Sequence, residues 1–262
     1  MDLAALASSR GVVGSYWAAS RAPRYSFIFA LPLFLLYEGL AAALAGTPGA
    51  AGVRNAADVA LKTPFLIFSG ARGSLAFFAT VVAIFIFVVA RDLTRSHDRL
   101  RPKTFALMLG ESAVLALLLG IVVGTITQRL LSGLSALSAQ TAAGGGANPL
   151  ASMGASTRLM LALGAGLYEE LLFRVLLVGG LAAGIGLFFG RNSLLTGVLA
   201  AVTGALVFSA FHYIGEYGDR FTVASFTYRA IAGLAFSGLY LTRGFGITAW
   251  THALYDVYVM VL

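Results

Sequence analysis

The stretch GLYEELLFRVLLVGG, residues 166–180, decides how this chain is read. It is apolar enough to lie in a membrane, yet it holds Glu169, Glu170 and Arg174. One charge at the centre of a membrane helix costs about 2.5–3.5 kcal/mol on insertion scales, so three uncompensated charges would cost on the order of 8–10 kcal/mol. Glu170 and Arg174 stand at i and i+4, with the acid N-terminal to the base, so they share one helix face and neutralise each other. With 3.6 residues per turn, Glu169 is rotated about 100° from Glu170 and needs another partner.

The surrounding composition fixes the solvent as lipid. Of 262 residues, 59% are hydrophobic and 11% charged, against about 25% charged in soluble domains. Apolar runs of about 17–22 residues match the roughly 20 needed to cross about 30 Å of hydrocarbon. Continuous rather than alternating apolar character excludes a barrel, so helices satisfy the backbone. The expected fold is an all-α, polytopic bundle of about seven spans (six to eight), near 26–45, 74–90, 105–126, 159–182, 194–213, 226–242 and 245–262. Residues 53–70, with Arg54, Asp58, Lys62 and Pro64, read as an interfacial helix or a poor span. Residues 1–130 form N-terminal membrane helices, 131–152 a Gly/Ser/Ala-rich connector, and 153–262 the core that carries the chemistry. Small-xxx-small pairs at Gly120/Gly124 and Gly180/Gly184 suit close helix packing.

The chain has no cysteine, which excludes disulfides, thiolate metal sites and a cysteine nucleophile. The N-terminus lacks the pattern of a cleaved signal peptide. Sixteen of the eighteen basic residues are arginine, without the aromatic interleaving of a nucleic-acid surface. RDLTRSHDRLRPK, residues 91–103, places five basic residues between two spans and marks the cytoplasmic side. The resulting topology puts ten basic residues inside and seven outside, Arg174 counted in neither.

The polar partners for Glu169 are few. His97 lies in the basic loop and reads as solvated. His212 closes the fifth expected span in FSAFH, and His252 begins HALYD, with Asp256 at i+4 on the same face. Three expected spans thus bring Glu169, His212, His252 and Asp256 toward one polar pocket. A histidine and a carboxylate together can deprotonate a water. Two histidines with carboxylates are also plausible zinc ligands, so Glu169, His212, His252 and Asp256 are the candidate metal set if a divalent ion is used. Whether the chemistry requires no cofactor or a divalent metal is left open. Glu38 and Glu111 read as lone acids without a nearby base.

Taken in order, EELLFR (169–174), FSAFH (208–212) and HALYD (252–256) match EExxxR, FxxxH and HxxxN/D. They resemble the CAAX protease and bacteriocin-processing (CPBP) family, which includes the type II CAAX prenyl endopeptidases. The resemblance implies peptide hydrolysis within the membrane by a glutamic or metal-dependent protease. Carried over, Glu169 is the general base and His212 holds the water. His252 and Asp256 bind the oxyanion or the scissile carbonyl, and Glu170 and Arg174 fix Glu169. The last position is asparagine in the eukaryotic prenyl proteases and Asp256 here. An ionised carboxylate cannot donate to an oxyanion, so Asp256 is expected to be neutral, to orient His252 or to ligate a metal. The implied partners are a membrane-anchored or lipidated protein or peptide and the lipid bilayer, and the expected location is a prokaryotic cytoplasmic membrane. A non-catalytic immunity or scaffold protein of the same fold is the alternative. A proton-coupled transporter is another, although no internal repeat supports it.

Overall fold

The computed structural model describes residues 15–95, 100–132, 153–190, 193–215 and 218–262. His97 and most of the expected connector lie outside these residues. The described residues form helices joined by turns, with no strand among them, and the protein is an integral membrane bundle. Outward side chains such as Phe87, Ile121, Leu187 and Leu194 are more than half exposed, as lipid-facing residues are.

The first full helix, α1 (Pro23–Ala43), starts with a proline, whose missing N–H is no loss at that position. A second, α2 (Ala56–Ser69), is capped by Asn55, whose side chain accepts from Ala57 N–H. The chain reverses at Gly70, φ +53°, into α3 (Gly73–Arg95). Antiparallel packing of α3 on α1 is set by Arg24–Asp92 at one end, Phe27–Phe85 in between and Phe34–Phe78 toward the other. Both ends of α2 meet that second end: Asn55 N–H reaches the Tyr37 hydroxyl, and Phe65 packs on Phe77. α2 therefore lies across the end of the bundle, with Ile67 and Phe68 exposed, in the manner of an interfacial helix.

After α4 (Pro102–Ser132) comes a helical path of 35 residues, Ala155–Phe189. It runs through α5 (Ala155–Gly164), two π-helical segments (Ala165–Glu169 and Leu171–Val178) and α6 (Gly179–Phe189). Three helices follow: α7 (Leu194–Phe211), α8 (Val223–Arg243) and α9 (Phe245–Met260). Five helical stretches are long and apolar enough to cross a membrane: Pro23–Ala43, Ala56–Arg95, Pro102–Ser132, Ala155–Phe189 and Leu194–Phe211. The second contains the reversal at Gly70, so its crossing part is α3. The other two expected spans fall on α8, which carries Ser225, Thr227 and Arg229, and on α9, whose 16 residues reach only about 24 Å at 1.5 Å each.

Helices from both halves of the chain share one core, in which Leu33, Tyr37, Met160, Tyr168, Ala249 and Ala253 cluster. α9 runs parallel to α1, with Gly246 N–H on Ser26 Oγ and the Trp250 indole on Phe29 O. The glycine pairs expected to pack helices do so only at Gly120, against Tyr255; a Cβ on Gly124, Gly180 or Gly184 would meet nothing within 4 Å.

Candidate active site

Close backbone approach builds the site. A Cβ on Gly166 would stand 2.4 Å from Ala249 O and 2.5 Å from Ala253 Cβ, and one on Gly164 2.5 Å from Tyr37. The absence of side chains at these two positions lets the π-helical path sit against α9 on one side and α1 on the other. The i→i+5 turns hold Glu169 and Arg174, with Glu170 at the junction between the two segments. Such wide turns recur at functional sites.

Glu169 is buried and has two different oxygens. Oε1 accepts from Asn55 Nδ2 at 2.9 Å. Oε2 has no hydrogen-bond partner among the described residues and stands 3.9 Å from His212 Nε2. The His212 tautomer follows from its other contact. Nδ1 lies 2.9 Å from Phe208 O, which can only accept, so Nδ1 carries the proton and a neutral ring turns an unprotonated Nε2 toward Glu169. Phe208 also packs edge-on against His212, with centroids 4.7 Å apart, which gives the FxxxH spacing a physical basis.

Glu170 has a hydrogen bond on one oxygen and a charge partner at the other. Oε1 accepts from His252 Nδ1 at 2.7 Å, and Oε2 lies 3.2 Å from Arg174 Nε. All three residues are buried. The Arg174 guanidinium lies over the faces of Phe208 and Phe236, 4.4 and 5.5 Å from their centroids, so ring quadrupoles take the place of water around the charge. Phe236 stacks on His252 at 4.3 Å. His252 Nε2 is 3.6 Å from Asp256 Oδ2.

The structure thus brings Glu169, Glu170, Arg174, His212, His252 and Asp256 together. They sit away from the basic loop. The start of α1, the end of α3 and the starts of α4 and α9 converge at that loop, through Arg24–Asp92, Arg101 N–H to the Tyr25 hydroxyl, and Ser26–Gly246. His212 follows the last residue of α7, Asp256 is one turn from the end of α9, and Asn55 precedes α2, all toward the opposite end.

The four candidate metal ligands split into the pairs Glu169–His212 and His252–Asp256, with His252 Nδ1 already engaged by Glu170. Among the described residues no group of three or more His, Cys, Asp or Glu side chains could hold a metal ion.

Two expectations are corrected. Glu38 and Glu111 are not lone acids. Glu38 accepts from Lys62 at 3.0 Å, Arg54 at 3.3 Å and the Tyr168 hydroxyl at 2.5 Å. Glu111 takes a two-pronged pair from Arg243, both arms at 2.6 Å, and the Tyr16 hydroxyl at 2.5 Å. Their bases come from other helices, which spacing along one helix does not reveal. Asn55, the other missed residue, sits in the polar 53–70 segment, where only its capping position before an apolar run was a signal.

The family model described as "Type II CAAX prenyl endopeptidase Rce1-like" matches residues 152–258, the region that supplies every site residue except Asn55. No curated protein and no solved structure matches the chain.

Proposed function

We propose that this chain, which carries the Rce1-like domain of the CPBP family over residues 152–258, is an intramembrane endopeptidase that hydrolyses a peptide bond with water activated by Glu169 and His212. The observation that carries the reading is the state of Glu169: one oxygen is held by Asn55, and the other is open and faces His212 Nε2 at 3.9 Å. Two acceptors at that separation are too far apart to bond each other, and neither can donate. A water admitted with the substrate would donate to both, with its lone pairs directed away toward a substrate carbonyl.

In this reading the water oxygen attacks the carbonyl carbon and Glu169 Oε2 takes its proton. The oxyanion develops near His252, whose imidazolium form would donate from Nε2 while Nδ1–H stays on Glu170 and Asp256 flanks the ring. Glu169 then returns the proton to the leaving amine as the C–N bond breaks. General-base assistance of this kind is worth roughly 10²–10⁴-fold in rate. Glu170, Arg174, Phe208 and Phe236 hold the pocket without taking part in proton transfer. This metal-free course is the one the side-chain pairing supports.

The substrate class that suits a membrane-embedded site is a membrane-anchored or lipidated protein or peptide. The cysteine-free, arginine-rich chain suits a prokaryotic cytoplasmic membrane. With the basic loop on the cytoplasmic side, the pocket opens toward the other face.

The test compares cells that express the wild type or Glu169→Gln in place of the native gene. Protein termini are mapped by mass spectrometry in membrane and secreted fractions. New termini found only with the wild type support the protease and identify a cleavage site. Identical termini at equal expression overturn the hydrolytic reading in favour of a scaffold.

A further inference from the structure

We infer that Asn55 is a positioning residue for the general base: it selects which oxygen of Glu169 does the chemistry. The inference rests on the hydrolytic reading above and concerns a residue outside the region that matches the family model.

The orientation of the Asn55 amide is determined by its contacts. Its Oδ1 accepts from Ala57 N–H at 2.9 Å, as a helix cap does. The other end of the amide is therefore Nδ2, and its N–H donates to Glu169 Oε1 at 2.9 Å. Both residues are buried, and no other hydrogen bond to Glu169 occurs among the described residues.

Asn55 is itself held on three sides. Its backbone N–H donates to the Tyr37 hydroxyl at 3.2 Å, and that hydroxyl donates to Asp58 Oδ2 at 2.8 Å. Asp58 is paired with Lys62 at 2.6 Å and with Arg54 at 3.7 Å. Lys62 and Arg54 both continue to Glu38, and Glu38 accepts from Tyr168, the residue before Glu169. The polar end of α2 thus forms a closed loop of contacts that leaves Glu169 and comes back to its neighbour. An interfacial helix that carried only lipid anchors would not need this network. Its geometric result is that Oε1 is tied down and Oε2 alone faces His212.

The capping and positioning roles use different atoms, so they separate experimentally. Serine and aspartate cap helices about as well as asparagine, but neither offers an amide N–H to Glu169. Asn55→Ser therefore keeps α2 and loses the contact. Asn55→Asp keeps the cap and sets a second carboxyl against Glu169. Asn55→Ala loses both.

Two readouts test the inference. The infrared difference spectrum between the protein and its Glu169→Gln variant isolates the Glu169 carboxyl band, with no substrate needed. In Asn55→Ser that band moves, and the thermal unfolding midpoint falls less than in Asn55→Ala, which loses the cap as well. The second readout uses a synthetic peptide that spans a mapped cleavage site. With it, kcat falls roughly 10- to 100-fold for Asn55→Ser, the expectation for a lost hydrogen bond to a charged group, with KM nearly constant. Asn55→Asp falls further. An unmoved band in Asn55→Ser, or full kcat in both capping variants, overturns the inference. A moved band in a protein that cleaves nothing upholds the hold of Asn55 on Glu169 and overturns the hydrolytic reading instead.

Discussion

Glu111 and Glu169 are both carboxylates on long apolar helices, and they end in opposite states. At Glu111 every oxygen is taken, by both arms of Arg243 and the Tyr16 hydroxyl, and the Arg243 guanidinium lies 3.8 Å from the Trp17 ring centroid. That cluster ties the helical residues 15–21 to α4 and α8. At Glu169 one oxygen is held and the other is left open toward a histidine. Glu170, immediately next to it, stands between the two: His252 bonds one oxygen, and the other has the Arg174 charge 3.2 Å away without a hydrogen bond. A buried carboxylate with all its acceptors matched is a fastener. One that keeps an unmatched acceptor carries a standing desolvation cost, and in a membrane such a cost points to function.

The comparison can be broken or sharpened by opening what is closed. Arg174→Met leaves Glu170 buried with half its partners, and removal of one member of a buried pair costs about 3–5 kcal/mol. Thermal unfolding in detergent should show a large drop, and cleavage should fall with it because Glu170, which orients His252, loses the charge that holds it. A normal midpoint would mean that Glu170 is not fastened as described. Gly166→Ala acts on spacing rather than charge. The new Cβ meets Ala249 O at 2.4 Å, and overpacking of this kind costs about 1–3 kcal/mol. The α9 helix must shift, so turnover should fall more than substrate affinity. Equal activity at equal stability would show that the approach of α9 to Glu169 is not limiting. Asp256→Asn is the mildest change. The side chain keeps its shape beside His252 Nε2, and a difference of one ordinary hydrogen bond, about fivefold in rate, is the most expected in a peptide-cleavage assay. A loss of a thousandfold would assign the Asp256 carboxylate itself to the chemistry.

Much of the site was legible because its members are short-range pairs on helices. Glu170 with Arg174 and His252 with Asp256 follow from i, i+4 spacing, and the Phe208–His212 contact from the same periodicity. The separate character of the helix at 56–69 was legible from its mixed polarity. Long-range partners were not. Asn55 lies 114 positions from Glu169, and Arg243 lies 132 from Glu111. No helical period connects such residues, so Glu111 and Glu38 read as unpaired. The wide turns at Ala165–Val178 also left no trace in the pattern of apolar residues, since that path is apolar nearly all round.

The central claim is that an open carboxylate does the chemistry and a closed one only holds helices. Its most direct measurement places purified Glu169→Gln beside Glu111→Gln and scores both for peptide cleavage and thermal unfolding. The account predicts that Glu169→Gln keeps its unfolding midpoint and loses cleavage by roughly 10²–10⁴-fold, while Glu111→Gln cleaves at the wild-type rate with a lowered midpoint. Continued cleavage by Glu169→Gln, or a Glu111→Gln protein that is stable but inactive, would contradict it.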